Sequence, residues 1–476
     1  MMGFNKELIQ QIEIINILSS QTKPLSSKKI SEYMRDATPS TVLNYCKMLK
    51  DDIERMYLKK ELNLFIDKQG IFLENKGVTL TKIKNYLFSS DLSYQILYAV
   101  LTQDKVDTYY FCLTHGTSHS TLRRKIRSIN SELSKYGFHI ICADNFAIKG
   151  DEKKLRNFFS VFLWGIHRKF SDMPNVPNKD FYLNLAKTIL NSSEPFSYES
   201  ELLSFFLFTT NTRVENGHII KYLIENDVIL ENYRCTKPKV LSHWNFFDYV
   251  YTHFSYFSYF FDNVKELEYL DNFTLSNFEK KFLEDWVEIF INIFGSTSWQ
   301  SIDFIKKLLR RNLISERVLK ISTNLIPFFS NDEFNTIKKG YFFLEWKFKF
   351  FYTELCNVYP HLNNDYYQYF CFCICLVVNP PEKTLPKIKI FCLTDYSYVL
   401  NKVFERTLET KFINRYLLEF LSTPDEADLI ISNLMVPDCM KNKFGDQYFL
   451  LLENSYCSQH LDIIEKAMST IALEDL

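Results

Sequence analysis

Between Val42 and Leu133 the chain writes the same helix twice. Val42, Cys46, Leu49 and Ile53 stand at i, i+4, i+7 and i+11, and Leu122, Ile126, Ile129 and Leu133 repeat that spacing 80 residues later. A helix patterned in this way buries a single stripe and leaves its other faces to solvent or to another molecule. Each copy has a hydroxyl-rich lead-in, Thr38-Pro39-Ser40-Thr41 and Thr117-Ser118-His119-Ser120-Thr121. Ser and Thr at a helix start satisfy the unpaired amides of its first turn.

The flanking residues predict what holds each copy. Leu8, Ile12, Ile15 and Leu18 mark a first helix, and Ser26 or Ser27 caps a second that carries Ile30, Tyr33 and Met34. After a turn at residues 35–37, Thr38 caps the third helix, with Pro39 where a missing amide hydrogen costs nothing. Residues 62–66, the turn Asp67-Lys68-Gln69-Gly70 and residues 71–73 read as a two-stranded wing. The second copy repeats the order: a helix over 92–101, a short helix over 109–113 capped by Asp107, and a turn at Gly116. A long helix over 118–136 follows, stopped by Gly137, and then a hairpin of 138–142 and 146–148. This is the order of two tandem winged helix-turn-helix domains, assigned to residues 1–85 and 86–165.

In such domains the third helix lies in the DNA major groove, and its N-terminal residues reach base edges. Arg123, Arg124, Lys125 and Arg127 fall off the apolar stripe of the second copy. Arg suits bidentate contact with guanine or phosphate, while the hydroxyls of Ser118, Ser120 and Thr121 and the helix N-terminus suit phosphate oxygens. The first copy offers Ser40, Thr41, Asn44, Lys47 and Lys50, with Lys68 in its wing, so the second is expected to be the chief reader. Charge points the same way. Residues 1–150 hold 21 Lys+Arg against 15 Asp+Glu, and the remainder 35 against 42. A basic head on an acidic body is what a phosphate-binding module attached to a non-binding one shows.

A chain of 476 residues, 46% apolar and 24% charged, exceeds one hydrophobic core and reads as a folded protein of three or more domains. Its 44 Phe and 29 Tyr imply cores built on large rings. Residues 1–17 look like the start of an amphipathic helix and not a signal segment. The longest apolar run, 369–378, is about half of what a bilayer crossing needs, so a cytoplasmic protein with no membrane partner is expected. Eleven cysteines, an odd number, suit reduced thiols. Cys371, Cys373 and Cys375 read as buried small hydrophobes and not as zinc ligands. Neither a metal nor a cofactor is expected.

From residue 152 to about 379 the pattern is helical, aromatic and poor in Gly. It fits two bundles of roughly five helices each, assigned to 166–290 and 291–381. Arg213-Val-Glu-Asn-Gly217-His218-Ile-Ile aligns with Thr336-Ile-Lys-Lys-Gly340-Tyr341-Phe-Phe, which suggests duplication. His218, with Arg213 five residues before and Lys221 three after, is expected to be exposed among cations. A phosphoryl group on it would add about 1.5 to 2 negative charges. His253 reads as structural, and His167 and His243 carry no functional signal.

After the linker Asn379-Pro380-Pro381, strands over 387–393, 413–421, 428–434 and 448–453 alternate with helices over 396–408 and 459–473. Residues 382–476 therefore read as a small α/β domain with a mainly parallel sheet. Cys392, near the end of its first strand, invites a nucleophile reading. The following residues lack a Gly to open the backbone, however, and Asp395 would repel an anion, so no catalysis is expected there.

In this order of parts the chain resembles the Mga/AtxA family of virulence-associated transcription regulators of Gram-positive bacteria, over essentially its whole length. The resemblance implies two helix-turn-helix domains, two helical regulatory domains of the kind controlled by the sugar phosphotransferase system (PRD), and a C-terminal EIIB-like domain. The implied fold class is mainly α and multidomain, ending in that small α/β domain. It further implies a regulator of double-stranded DNA, usually an activator of virulence or carbon-metabolism genes. Such a regulator forms a homodimer through its C-terminal part and is phosphorylated by the phosphocarrier protein, with no enzymatic activity of its own. By position, His218 resembles the regulatory histidine of the first such domain; Tyr341 stands at the corresponding place in the second. Two other readings compete. One is a phosphotransferase-system phosphocarrier or EIIB-like enzyme passing phosphate through His218 or Cys392, and the other is a helical scaffold that does not bind DNA.

Overall fold

The computed structural model describes residues 3–34, 36–191, 197–221, 235–260, 274–319, 341–379, 385–413, 415–434, 448–452 and 458–474. Two compact units divide the chain: Met1–Thr274 with Arg311–Phe328, and Leu275–Arg310 with Phe329–Leu476. Among the described residues no helix is long and apolar enough to cross a membrane.

The first unit begins with α1 (Lys6–Ser19), α2 (Ser27–Tyr33), α3 (Pro39–Met56) and the hairpin β1 (Leu62–Asp67) and β2 (Gly70–Asn75). The stripe Val42, Cys46, Leu49 and Ile53 of α3 packs with Leu8, Ile14, Ile15, Leu18 and Ile30 onto the inward residues Leu62, Leu64, Ile71 and Leu73 of the hairpin. The loop between α1 and α2 joins this sheet, because Leu25 pairs with Ile71 through N···O distances of 3.0 and 2.8 Å. Only a glycine fits beside it: Gly70 has φ of +132°, and a Cβ there would lie 2.8 Å from the Leu25 carbonyl oxygen.

The second copy follows as α4 (Thr81–Ser90), α5 (Leu92–Thr102), β3 (Val106–Asp107), α6 (Thr108–Thr114), α7 (His119–Leu133), β4 (His139–Cys142) and β5 (Asn145–Lys149). Leu122, Ile126, Ile129 and Leu133 are all buried. Val106 and Asp107 pair with Phe146 and Asn145, so here the segment after α5 adds a short strand where the first copy has the single Leu25 bridge. Neither pairing, nor α4, follows from the sequence pattern.

Helices α8 (Glu152–His167), α9 (Lys179–Ile189), α10 (Tyr198–Glu215) and α11 (Phe246–Phe260) form an aromatic bundle. Phe158, Phe162, Phe170, Phe205, Trp244 and Tyr251 are wholly buried, with edge contacts such as Phe170 on Phe205 at 5.2 Å and 90°. Helix α13 (Trp299–Leu319), which follows α12 (Asn277–Phe294) in the chain, is divided between the two units.

In the second unit α12, α14 (Phe342–Val358) and α15 (Asp365–Val378) pack through Trp286, Phe290, Phe348, Phe351 and Phe372. Cys371 and Cys375 lie buried on α15, and desolvation pushes the Cys371 thiol up to about 12. Among the described residues no group of three His, Cys, Asp or Glu is placed to hold a metal ion. The C-terminal sheet has the order β7-β6-β8-β9, all parallel: β6 (Lys387–Leu393), β7 (Leu417–Phe420), β8 (Leu429–Ser432) and β9 (Tyr448–Leu451). It is covered by α16 (Tyr398–Phe412) and α17 (Ser458–Glu474), whose Leu408, Phe412, Ile464 and Met468 pack on Ile388, Ile390 and Ile431. The strand expected over 413–421 begins only at Leu417, because Leu408 and Phe412 extend the buried stripe of α16. Residues 336–340 of the internal echo, and Pro380 and Pro381 of the linker, lie outside the described residues.

His167 is fully buried, with its Nε2 2.8 Å from the Tyr94 hydroxyl, and burial pushes its pKa down to about 3. His253, against Phe257 at 4.2 Å, is pushed down to about 4. The unfolded chain protonates both near 6.5, so stability is lost as pH falls from there towards 4, by about 1.4 kcal/mol per pH unit and histidine. The urea midpoint is therefore expected to be lower at pH 5 than at pH 7. The gap should narrow in His167→Gln; an unchanged gap in that variant would show that His167 takes up its proton in the folded state.

Candidate nucleic-acid interface

Helices α3 and α7 begin with the same arrangement of three hydroxyls. On α7 the Ser118 Oγ accepts the Thr121 amide at 3.2 Å and lies 2.9 Å from Ser120 Oγ and 3.0 Å from Thr121 Oγ1. On α3 the Thr38 Oγ1 accepts the Thr41 amide at 3.2 Å and lies 2.9 Å from Ser40 Oγ and 2.8 Å from Thr41 Oγ1. A cap of this kind orders the first turn while its free amides and the positive end of the helix dipole face outward, a ready site for a phosphate oxygen.

The buried stripe then fixes which side chains share that outward face. At about 100° per residue, Ser120, Arg123, Arg124 and Arg127 span an arc of about 100° opposite Leu122, Ile126 and Ile129. All four are exposed, and among the described residues none of the three arginines makes a hydrogen bond or ion pair. Unpaired guanidiniums beside a capped helix start can take a guanine edge or a phosphate.

Lys125 is placed differently. It lies on the flank of α7, where its Nζ donates to the Gly3 carbonyl at 2.9 Å and to Asn5 Oδ1 at 2.6 Å. Its ammonium is engaged by the protein, contrary to the expectation that it sits with the three arginines. Of the residues expected to face DNA on α3, Ser40, Asn44 and Lys47 are exposed and Thr41 and Lys50 half-buried, so this face carries less positive charge. Asp52, further along, is buried and pairs with Arg55. Lys68 is exposed at the β1–β2 turn, which Asp67 closes by accepting the Gln69 amide at 2.7 Å.

Sequence reasoning missed two residues of α6. Thr108, Phe111 and Cys112 are its buried face, so Tyr109 and Tyr110 point outward, 70% and 68% exposed, at the N-terminal end of the helix preceding α7. In a helix-turn-helix that element crosses the sugar-phosphate backbone, and a phenol can donate to phosphate. The signal was present in the i, i+3, i+4 spacing of the buried residues.

The loop holding His218 rests on buried charge. Arg213 and Arg156, both 2% exposed, share Glu152 at 2.7 and 3.0 Å, and Arg156 also meets the fully buried Asp248 at 2.8 Å. Arg156 donates to the His218 carbonyl at 2.6 Å, and Asp248 Oδ1 accepts the Ile220 amide at 3.0 Å. His218 is therefore half-buried, and not the freely exposed residue expected. Its Nε2 lies 2.9 Å from Asp104 Oδ1, without the alignment of an N–H···O bond. Burial, then the Arg213 guanidinium, lower its pKa, with Glu152 and Asp104 opposing. Arg213, one of the cations near His218 in sequence, is buried and neutralised by Glu152.

In the C-terminal domain burial pushes the Cys392 thiol up to about 12, helped by Glu405, so it does not offer a thiolate near neutral pH. Asp395 in the following loop is bonded to Asn433 at 2.5 Å.

Residues 76–163 match the family model of the Mga helix-turn-helix domain. The matched span contains α4 to α7, the second hairpin and most of α8. No curated protein matches the chain.

Proposed function

From the match of residues 76–163 to the Mga helix-turn-helix domain, we propose that the chain is a DNA-binding transcription regulator of the Mga kind, and that α3 and α7 both enter the major groove of double-stranded DNA, with α7 the chief reader. The observation that carries this reading is the exposed arc of Arg123, Arg124 and Arg127 beside the Ser118 cap, inside the matched segment. Ser118, Ser120, Thr121, Tyr109 and Tyr110 hold phosphates in this reading, and Ser40, Thr41, Asn44, Lys47 and Lys68 add a second, weaker set. Each lost contact of this kind weakens binding by about 1 to 3 kcal/mol. Replacing all three arginines by Glu is expected to reduce affinity for a target promoter more than 100-fold in a mobility-shift assay, with an unchanged circular dichroism spectrum. Retained binding by the folded variant rejects α7 as the main reader.

Regulation enters through His218 in this reading. A phosphoryl group on it would bring about 1.5 to 2 negative charges beside Asp104, which precedes the edge strand β3, while Asp107 caps α6 by accepting the Tyr110 amide at 2.6 Å. Repulsion there would act on the second winged unit directly, which supports control by the phosphotransferase system through its phosphocarrier protein. Incubation with labelled phosphoenolpyruvate and the general phosphotransferase proteins is expected to give stable label that His218→Ala abolishes. No label would remove this arm, and label passed on to a sugar would favour the phosphocarrier reading.

The C-terminal domain is the dimer contact in this account. Tyr398, Val399, Leu400 and Val403 on α16 are 56% to 77% exposed and form an apolar face of the kind that a second copy covers. Val399→Glu with Val403→Glu is expected to convert a dimer to a monomer in sedimentation velocity. A double variant that still sediments as a dimer would place the contact elsewhere. By the resemblance, the genes served are virulence or carbon-metabolism genes, and the sense of control is activation.

A further inference from the structure

We infer that residues 3–5 form a strap that locks the two reading helices in one fixed relation, and that Gly3, Asn5 and Lys125 are positioning residues which set the DNA spacing the protein accepts. This rests on the DNA-binding reading above, but not on any particular promoter.

The strap is built from bonds that cross between the two winged units. The Gly3 carbonyl accepts Ser93 Oγ at 2.7 Å and Lys125 Nζ at 2.9 Å. Asn5 Oδ1 accepts the same ammonium at 2.6 Å, and the Asn5 amide donates to Asp91 Oδ2 at 3.1 Å. The other oxygen of Asp91 caps α5 by accepting the Ser93 amide at 2.7 Å. Asp91 and Ser93 are buried and Phe4 packs edge-on to Phe88 at 5.3 Å, whereas the bond from Lys125 to Asn5 lies at the surface.

Two details show that this segment is fitted to α7. Gly3 has φ of +70°, and a Cβ there would stand 3.0 Å from the Ile129 side chain and 3.2 Å from its backbone nitrogen. Asn5 occupies the N-cap position of α1 yet makes no side-chain cap bond. A cap there contributes about 1 kcal/mol, and the side chain instead holds Lys125. The start of α1, in the first winged domain, is thus fastened to both α5 and α7 of the second winged domain. Lys84 Nζ to Asn16 Oδ1, at 2.7 Å, ties α4 to the same helix.

A rigid pair of reading helices demands two half-elements at one separation. Inserting a base pair between them moves one half-element by about 3.4 Å and turns it by about 35°, more than hydrogen-bond geometry tolerates. A loosely tethered pair would follow the displaced half-element. The ammonium of Lys125 therefore acts on specificity by holding the frame, without touching DNA.

The test uses the full-length protein and a site selected from random duplex DNA, with and without one base pair inserted between the two protected half-elements. The wild-type chain is expected to lose at least tenfold in affinity on insertion. Asn5→Ala and Lys125→Met should each lose less than threefold, with the wild-type salt slope. An undiminished penalty in both variants overturns the proposal. So does a Lys125→Met protein whose salt slope falls by about one while the penalty stays, since that marks a phosphate contact. A second readout needs no DNA: pulsed dipolar spectroscopy between spin-labelled unnatural residues at positions 44 and 124. The distance distribution should at least double in width in Asn5→Ala; an equally narrow one overturns the strap. Failure of the wild-type chain to bind any DNA would instead sink the function proposed above, and the dipolar result would still decide the strap.

Discussion

The rotation of α7 about its own axis is the constraint on which the proposed DNA-facing surface depends. Leu122, Ile126, Ile129 and Leu133 are at most 3% exposed, and turning the helix by one residue would bring Arg123 inward in place of Leu122. An unpaired buried guanidinium costs several kcal/mol, and the displaced leucine would lose about 1.5 to 3 kcal/mol of burial. The arginines are held outward because the leucine and isoleucines have been drawn in. The same argument applied to α3 leaves Ser40, Asn44 and Lys47 outside, a face with the same hydroxyl start and a weaker charge.

A second constraint lies beneath His218. The pair Arg156 and Arg213 with Glu152 and Asp248 is nearly dry. Such a network contributes less to net stability than its Coulomb attraction suggests, because desolvation offsets most of the gain. Its effect is geometric: opposite charges with no alternative partner fix the end of α10 and the loop after it, and so fix where the His218 ring lies relative to Asp104. A change of charge at that ring is felt by groups that cannot relax into water.

Much of this was legible in the chain. The caps at Thr38 and Asp107, the choice of Ser26 or Ser27 and both hairpins followed from local rules, since each depends on residues within a few positions of one another. The parallel C-terminal sheet followed from alternation of strand and helix patterns. What escaped depends on distant partners. Lys125 was grouped with the arginines because it lies off the stripe; at about 100° per residue it falls on a flank about 100° from Arg124, and the partner that engages it there lies 120 residues earlier in the chain. That Arg213 is buried was not legible, because its partner Glu152 lies 61 residues away in the chain. Helix α4 and the added strand at Val106 lacked a clear period, and they form because the flanking units supply the surface on which they pack.

Guanine N7 faces the major groove, so methylation protection by dimethyl sulfate on a bound promoter reports directly where the reading helices lie. The account predicts two clusters of protected guanines, the stronger one lost when Arg123, Arg124 and Arg127 are replaced by Glu. A bound complex with every guanine N7 as reactive as in free DNA would contradict it.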